Sequence, residues 1–125
     1  MDETAAATGA GVAQVFDLRA LKEFAPEKRV RKLLFKSEQL WSEMVCYEPG
    51  QSTVMHRHPR EEEAILVLEG TAHMCIDGRE LVLPAGSIAK FPNAVMHDVR
   101  NPGGERCVIV FFKVNPKLLK EGGDG

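Results

Sequence analysis

Three of the four histidines in this 125-residue chain fall in two short stretches, and the first stretch also carries a run of carboxylates. It reads Gly50-Gln-Ser-Thr-Val-Met-His56-Arg-His58-Pro-Arg-Glu61-Glu62-Glu63, and His97 follows in the second. Neutral imidazole is the commonest protein ligand for transition metals. A carboxylate beside it adds negative charge and an oxygen donor suited to iron, manganese, nickel or zinc. His56 and His58 stand two positions apart, so on an extended strand both imidazoles project from one face. Two imidazoles on one strand cannot complete a coordination sphere. A carboxylate must arrive from the next strand, after the turn His58-Pro59-Arg60-Glu61, and His97 from a third. In a small antiparallel barrel the inward-facing residues of different strands meet in the interior, which permits that convergence.

The rest of the chain supplies such strands. From Val30 onward, strand signals recur at short intervals: 31–35, 40–47, 53–57, 64–69, 72–76, 80–83, 87–91, 95–100 and 107–114. The punctuation between them is what hairpins need: Pro49-Gly50, Glu69-Gly70, Asp77-Gly78, Pro84-Ala85-Gly86 and Asn101-Pro102-Gly103-Gly104. This pattern predicts an all-β barrel or sandwich. Residues 1–14 read as a disordered arm, 15–116 as the β-barrel domain and 117–125 as a flexible tail, with a short helix-compatible pattern over 17–26. The run Ala64-Ile-Leu-Val-Leu68 is apolar at consecutive positions, so something must cover its outer side, either a partner subunit or the barrel's own N-terminal strand.

Residues 50–70 resemble the first motif of the cupin superfamily: Gly50, His56-x-His58, Glu63 and Gly70 at the family's spacing. Residues 86–101 are similar to the second: Gly86, Pro92, Ala94, His97 and Asn101, with Ala94 standing where the family usually has glycine. The resemblance implies a single-domain antiparallel β-barrel of the double-stranded β-helix, or jelly-roll, type. It implies His56, His58, Glu63 and His97 around one divalent metal per chain, with Fe(II) favoured and manganese, nickel, zinc or copper compatible. It also implies a homodimer and does not by itself imply a reaction.

Since Glu61, Glu62 and Glu63 are consecutive, only alternate positions can point inward once the strand begins. The spacing to Gly70 selects Glu63, whereas Glu62 fits the shorter family spacing to His58; the two remaining glutamates then form a solvated charge run. Arg57 should point away from the ligands and pair with that run. In Thr71-Ala72-His73-Met74-Cys75-Ile76, the apolar residues share one face, which leaves His73 on an outer surface. Cys46, Cys75 and Cys107 are odd in number and sit in separate strand-like segments, which fits free thiols in a reducing compartment. One of them lining the metal pocket is the alternative.

A hydrophobic content of 44% with 27% charged residues is that of an ordinary soluble domain, and a net charge of -2 offers no basic face for nucleic acid. No apolar run approaches the roughly 20 residues that a bilayer requires, so no membrane partner is expected. The small, acidic first residues are a poor secretory signal, and the expected location is cytoplasmic.

An octahedral ion with four protein ligands keeps about two positions open for water, oxygen or a chelating substrate. The expected function is therefore that of a small metalloenzyme: a dioxygenase, or a metal-assisted isomerase, cyclase or lyase acting on a small oxygenated metabolite. The alternative is a non-catalytic sensor of a metal or small ligand. Expected walls are apolar, from Val54, Ile65, Val67, Met74, Phe91, Val99 and residues 108–112, with no separate acid or base assigned beyond the metal ligands.

Overall fold

The computed structural model describes residues 12–122, with side chains through Leu119; residues 1–11 of the expected arm and 123–125 of the expected tail lie outside it. A short helix α1 (Leu18–Leu21) precedes nine strands: β1 (Val30–Lys36), β2 (Leu40–Tyr47), β3 (Ser52–His56), β4 (Glu63–Glu69), β5 (Thr71–Ile76), β6 (Arg79–Pro84), β7 (Ile88–Phe91), β8 (His97–Arg100) and β9 (Cys107–Val114). A second helix α2 (Pro116–Gly122) closes the described chain. All strand pairs are antiparallel. They form a five-stranded sheet in the order β1-β2-β9-β4-β7 and a four-stranded sheet in the order β3-β8-β5-β6.

The side-chain period of two builds the core between these sheets. Ile65 and Val67 from β4, Val45 and Tyr47 from β2, and Ile109 from β9 meet Ala72 and Met74 from β5 and Val99 from β8. His73 lies on the other face of β5, opposite Arg100 of β8 and Val82 of β6, and is half-buried. Tight turns set the register. Asp77 and Gly78 have φ of 52° and 80°, the paired positive values of a type I′ hairpin between β5 and β6. Gly70, at φ 72°, lets the β4–β5 turn approach the backbone of Arg106 closely, where a Cβ atom would stand 2.2 Å from the carbonyl oxygen.

The apolar run of β4 is buried on its inner side and half-buried on its outer side. A second cluster sits on that outer face, where Met44, Cys46, Val108 and Val110 are joined by Leu34 and covered by Leu18, Leu21 and Phe24. The chain's own N-terminal segment is thus the cover here, through a helix and loop rather than a strand. Four residues are far too few for a helix to persist alone. Asp17 caps α1 by accepting from the amides of Arg19 and Ala20, and Lys22 pairs with Glu69 of β4. At the β4–β7 edge, Ile88 remains 63% exposed.

The flexible tail expected from residue 117 is instead helical through Gly122. Asn115 explains the difference: its Oδ1 accepts from the amide of Lys117 and its carbonyl from the amide of Leu118, while Pro116 stands at the first helical position, where a missing N–H costs nothing.

Candidate metal centre

His56 closes β3 and pairs directly across to His97, the first residue of β8. Their rings lie 4.2 Å apart, and His97 also packs at 4.5 Å against Phe91, the last residue of β7. Glu63 opens β4 opposite Phe91. His58, expected on the same strand as His56, lies instead in the loop beyond β3. The i, i+2 alternation of a strand therefore does not position it. Two hydrogen bonds do: the Ala94 amide donates to the His58 carbonyl at 2.7 Å, and Asn93 Nδ2 donates to the Pro59 carbonyl at 3.1 Å. The turn before β8 thus fixes the loop that carries His58. Ala94 adopts φ 70° there, the conformation that glycine would take without strain.

One ring nitrogen from each of His56, His58 and His97 falls within 4.8 Å of the others. Glu63 Oε1 lies 3.1 Å from His58 Nε2 and 3.4 Å from His97 Nε2. The tautomers follow from the other ring nitrogens. His56 Nδ1 faces the Val54 carbonyl at 2.8 Å and His97 Nδ1 faces that of Val95 at 3.1 Å. A carbonyl only accepts, so Nδ1 carries the proton in both rings and the neutral imidazole presents a lone pair at Nε2. His97 Nε2 and Glu63 Oε1 are both buried, and neither makes a hydrogen bond among the described residues. Two lone-pair donors face one another across a gap that a cation would fill.

The electrostatics agree. Burial pushes the Glu63 pKa up, but the adjacent His58 and His97 outweigh it and bring it down to about 2, so the carboxylate is anionic. Burial, reinforced by His97 and His58, holds His56 below its usual value against the raising effect of the Val54 carbonyl, which keeps the ring neutral as a ligand must be. The donor set of three imidazoles and one carboxylate fits a divalent transition ion.

Glu61 departs from the solvated run expected of it. It is 4% exposed, and its Oε2 lies 3.5 Å from His58 Nδ1 and 3.4 Å from Lys113 Nζ. Glu62 is exposed and pairs with Lys90. Residues 61 and 63 are two apart and both turn inward, so the alternation that separates Glu62 from Glu63 also brings Glu61 in. The acidic run pairs with Lys90 and Lys113 rather than with Arg57, which is exposed.

The centre opens into a cavity of about 380 Å³. Of the expected wall, Val54, Ile65, Val99, Ile109 and Phe111 line it, whereas Val67, Met74 and Phe91 are core residues beyond it. Val108 and Val110 belong to the outer cluster, and Phe112 is partly exposed. The wall is less apolar than expected, because Arg29, Arg31, Trp41, Tyr47 and Lys113 also line it. Arg31 and Lys113 are placed by alternation on β1 and β9, but Arg29 precedes β1, where no periodicity points to a pocket. Tyr47 shares a hydrogen bond with Thr53 at 2.7 Å, and burial raises its pKa far enough to keep the phenol neutral. None of the cysteines lines the cavity. All are free, and burial raises the thiol pKa of Cys46 and carries that of Cys107 to about 11, which makes both inert.

A family model described as a cupin domain matches residues 43–113, which contain every residue of the centre. The chain belongs to the cupin domain family. Among solved cupin-like structures, TT1209 from Thermus thermophilus is 26% identical with a TM-score of 0.77, over 80% of this chain and 95% of that one. A protein with a double-stranded β-helix domain from Klebsiella pneumoniae subsp. pneumoniae MGH 78578 is 21% identical with a TM-score of 0.75, over 82% and 90%. Among curated proteins, Polyketide synthase CurC of Streptomyces cyaneus is 35% identical over 68 residues, or 54% of this cupin chain and 44% of that protein. No helix among the described residues is long and apolar enough to cross a membrane.

Proposed function

We propose that this cupin is a small metalloenzyme in which His56, His58, His97 and Glu63 hold one divalent ion beside the cavity and the substrate is a small oxygenated metabolite. The observation that carries this reading is the facing of His97 Nε2 and Glu63 Oε1, buried and unpaired 3.4 Å apart with two further imidazoles beside them. A bound ion supplies Lewis-acid polarisation of a substrate oxygen or, as Fe(II), reaction with dioxygen. The protein's own residues then do the rest. Val54 and Val95 carbonyls and Glu61 orient the three rings. Ile65, Val99 and Ile109 wall off water, and Tyr47 presents a neutral hydroxyl next to Thr53. Dioxygenase chemistry and metal-assisted isomerisation, cyclisation or lyase chemistry are the reaction classes this arrangement serves. The partial likeness to a protein named as a polyketide synthase fits a carbon skeleton rich in oxygen.

The test is the metal content of protein purified without chelator or affinity tag, measured by elemental mass spectrometry beside His97→Ala. About one ion per chain, lost in the variant, is expected; no metal in either protein would overturn the reading. The identity of the ion directs the next assay, with iron leading to oxygen-consumption measurements and manganese, nickel, zinc or copper to non-redox substrates.

The homodimer belongs to the same proposal. Ile88 and Phe112, 63% and 39% exposed, lie on the outer face of the five-stranded sheet, in adjacent register rows with Leu66 and Ala64. Light scattering during size exclusion should give twice the chain mass, and a monomer at micromolar concentration would sink this part.

A further inference from the structure

The cations that line the cavity differ in what they already hold. Arg31 is engaged by Glu43 through two contacts, Nε to Oε1 at 2.8 Å and Nη2 to Oε2 at 3.1 Å, and the same Glu43 accepts from Trp41 Nε1 at 2.9 Å. Lys113 is held by Glu61 and lies 4.4 Å over the Trp41 ring. Both charges are therefore compensated inside the protein. Arg29 is not. It lines the same cavity, and among the described residues it makes no ion pair. Its Nε is buried without a hydrogen-bond partner, and its guanidinium makes only a long 3.5 Å approach, from Nη1 to the Ser52 carbonyl. A guanidinium carries its donors in a planar fork matched to a carboxylate, and leaving such a donor desolvated and unmade is costly.

The position of Arg29 is fixed rather than incidental. Gln51 Nε2 donates to the Ala25 carbonyl at 2.8 Å, which ties the segment before β1 to the β2–β3 turn, and Val30 then enters the sheet opposite Cys46. The cavity thus has a donor cluster for a metal, an apolar wall of Val45, Ile65, Val99 and Ile109, and a cation that lacks a counter-charge.

We propose that Arg29 is a specificity-determining residue that binds a carboxylate of the substrate, so that the cavity takes a small acid with metal-binding oxygens and a second, anionic group separated from them by a short apolar stretch. This rests on the metal-centre reading above and adds to it the charge of the substrate.

The experiment compares matched pairs of 2-hydroxy acids by calorimetric titration of protein reconstituted with Zn(II). Malate and 2-hydroxybutyrate share the same chelating end and chain length and differ in a terminal carboxylate against a methyl group; 2-hydroxyglutarate and 2-hydroxyvalerate extend the reach by one methylene. In the wild type, at least one dicarboxylate should bind about tenfold or more tightly than its partner. Arg29→Gln should erase that preference while leaving the monocarboxylates unchanged, and Arg29→Lys, which keeps the charge without the fork, should retain part of it. Unchanged thermal unfolding of the variants separates recognition from misfolding. Equal binding within both pairs in the wild type, or a preference that survives Arg29→Gln, overturns the proposal. The two readings fail differently. Metal-dependent binding with no dicarboxylate preference sinks the role of Arg29 alone, whereas an Arg29-dependent preference that is indifferent to His97→Ala and to the removal of Zn(II) sinks the metal reading and leaves the anion site standing.

Discussion

Nε2 of His58 stands 3.1 Å from Oε1 of Glu63. The opposite nitrogen of the same ring faces Glu61, so one imidazole is gripped between two buried carboxylates. The inner one is placed to share a cation with the ring, and the outer one fixes which nitrogen bears the proton.

Glutamine substitutions along the acidic run should therefore separate three roles. Glu63→Gln removes the anionic ligand and should weaken metal binding by ~100-fold or more, Glu61→Gln should weaken it by ~10-fold through loss of ring orientation, and Glu62→Gln should leave it unchanged. Competition with a chromophoric chelator measures all three. Retention of metal by Glu63→Gln beside loss in Glu62→Gln would reverse the assignment.

Acid should destabilise the metal-free protein in two windows. His56 is held below its ordinary value of 6.5, so the unfolded chain binds the proton first and stability falls as pH drops below about 6.5. Glu63 is brought from 4.5 to about 2, so its contribution is complete above pH 4.5 and is lost as pH falls towards 2. Urea midpoints measured from about pH 8 to about pH 3 should decline monotonically, and His56→Gln should flatten the upper part of that decline. A midpoint that rose on acidification would contradict both signs.

Gly70→Ala should be severely destabilising, by ~3 kcal/mol or more, because the new methyl meets the Arg106 carbonyl at 2.2 Å while the backbone stays at φ 72°. Thermal unfolding against Gly78→Ala, where nothing lies within 4 Å of the added atom, isolates the clash from the conformational strain.

Ala94→Gly should raise stability by ~0.5–1 kcal/mol, since it relieves a positive φ of 70° and keeps the amide that donates to His58. A loss of stability would mean that the lower chain entropy of the alanine outweighs its strain in this turn.

Much of this molecule was legible in one dimension. Each of the nine strands lies where alternating apolar residues and Gly, Pro, Asp or Asn punctuation predict it, because strand period and turn chemistry are local properties that a sequence states directly. The histidines and Glu63 were legible for the same reason, as residue types at fixed spacings. Tertiary structure decided what depends on residues far apart in the chain. His58 reaches the centre because Asn93 and Ala94 hold its loop, not because it shares a strand with His56. Glu61 is buried because Lys113, near the end of the last strand, lies close enough to pair with it. Residues 116–122 form a helix because Asn115 satisfies its first amides. Whether Arg29 is an ordinary surface charge or an uncompensated cation in the cavity depends on which carboxylates the fold leaves near it, and no spacing in the sequence encodes that.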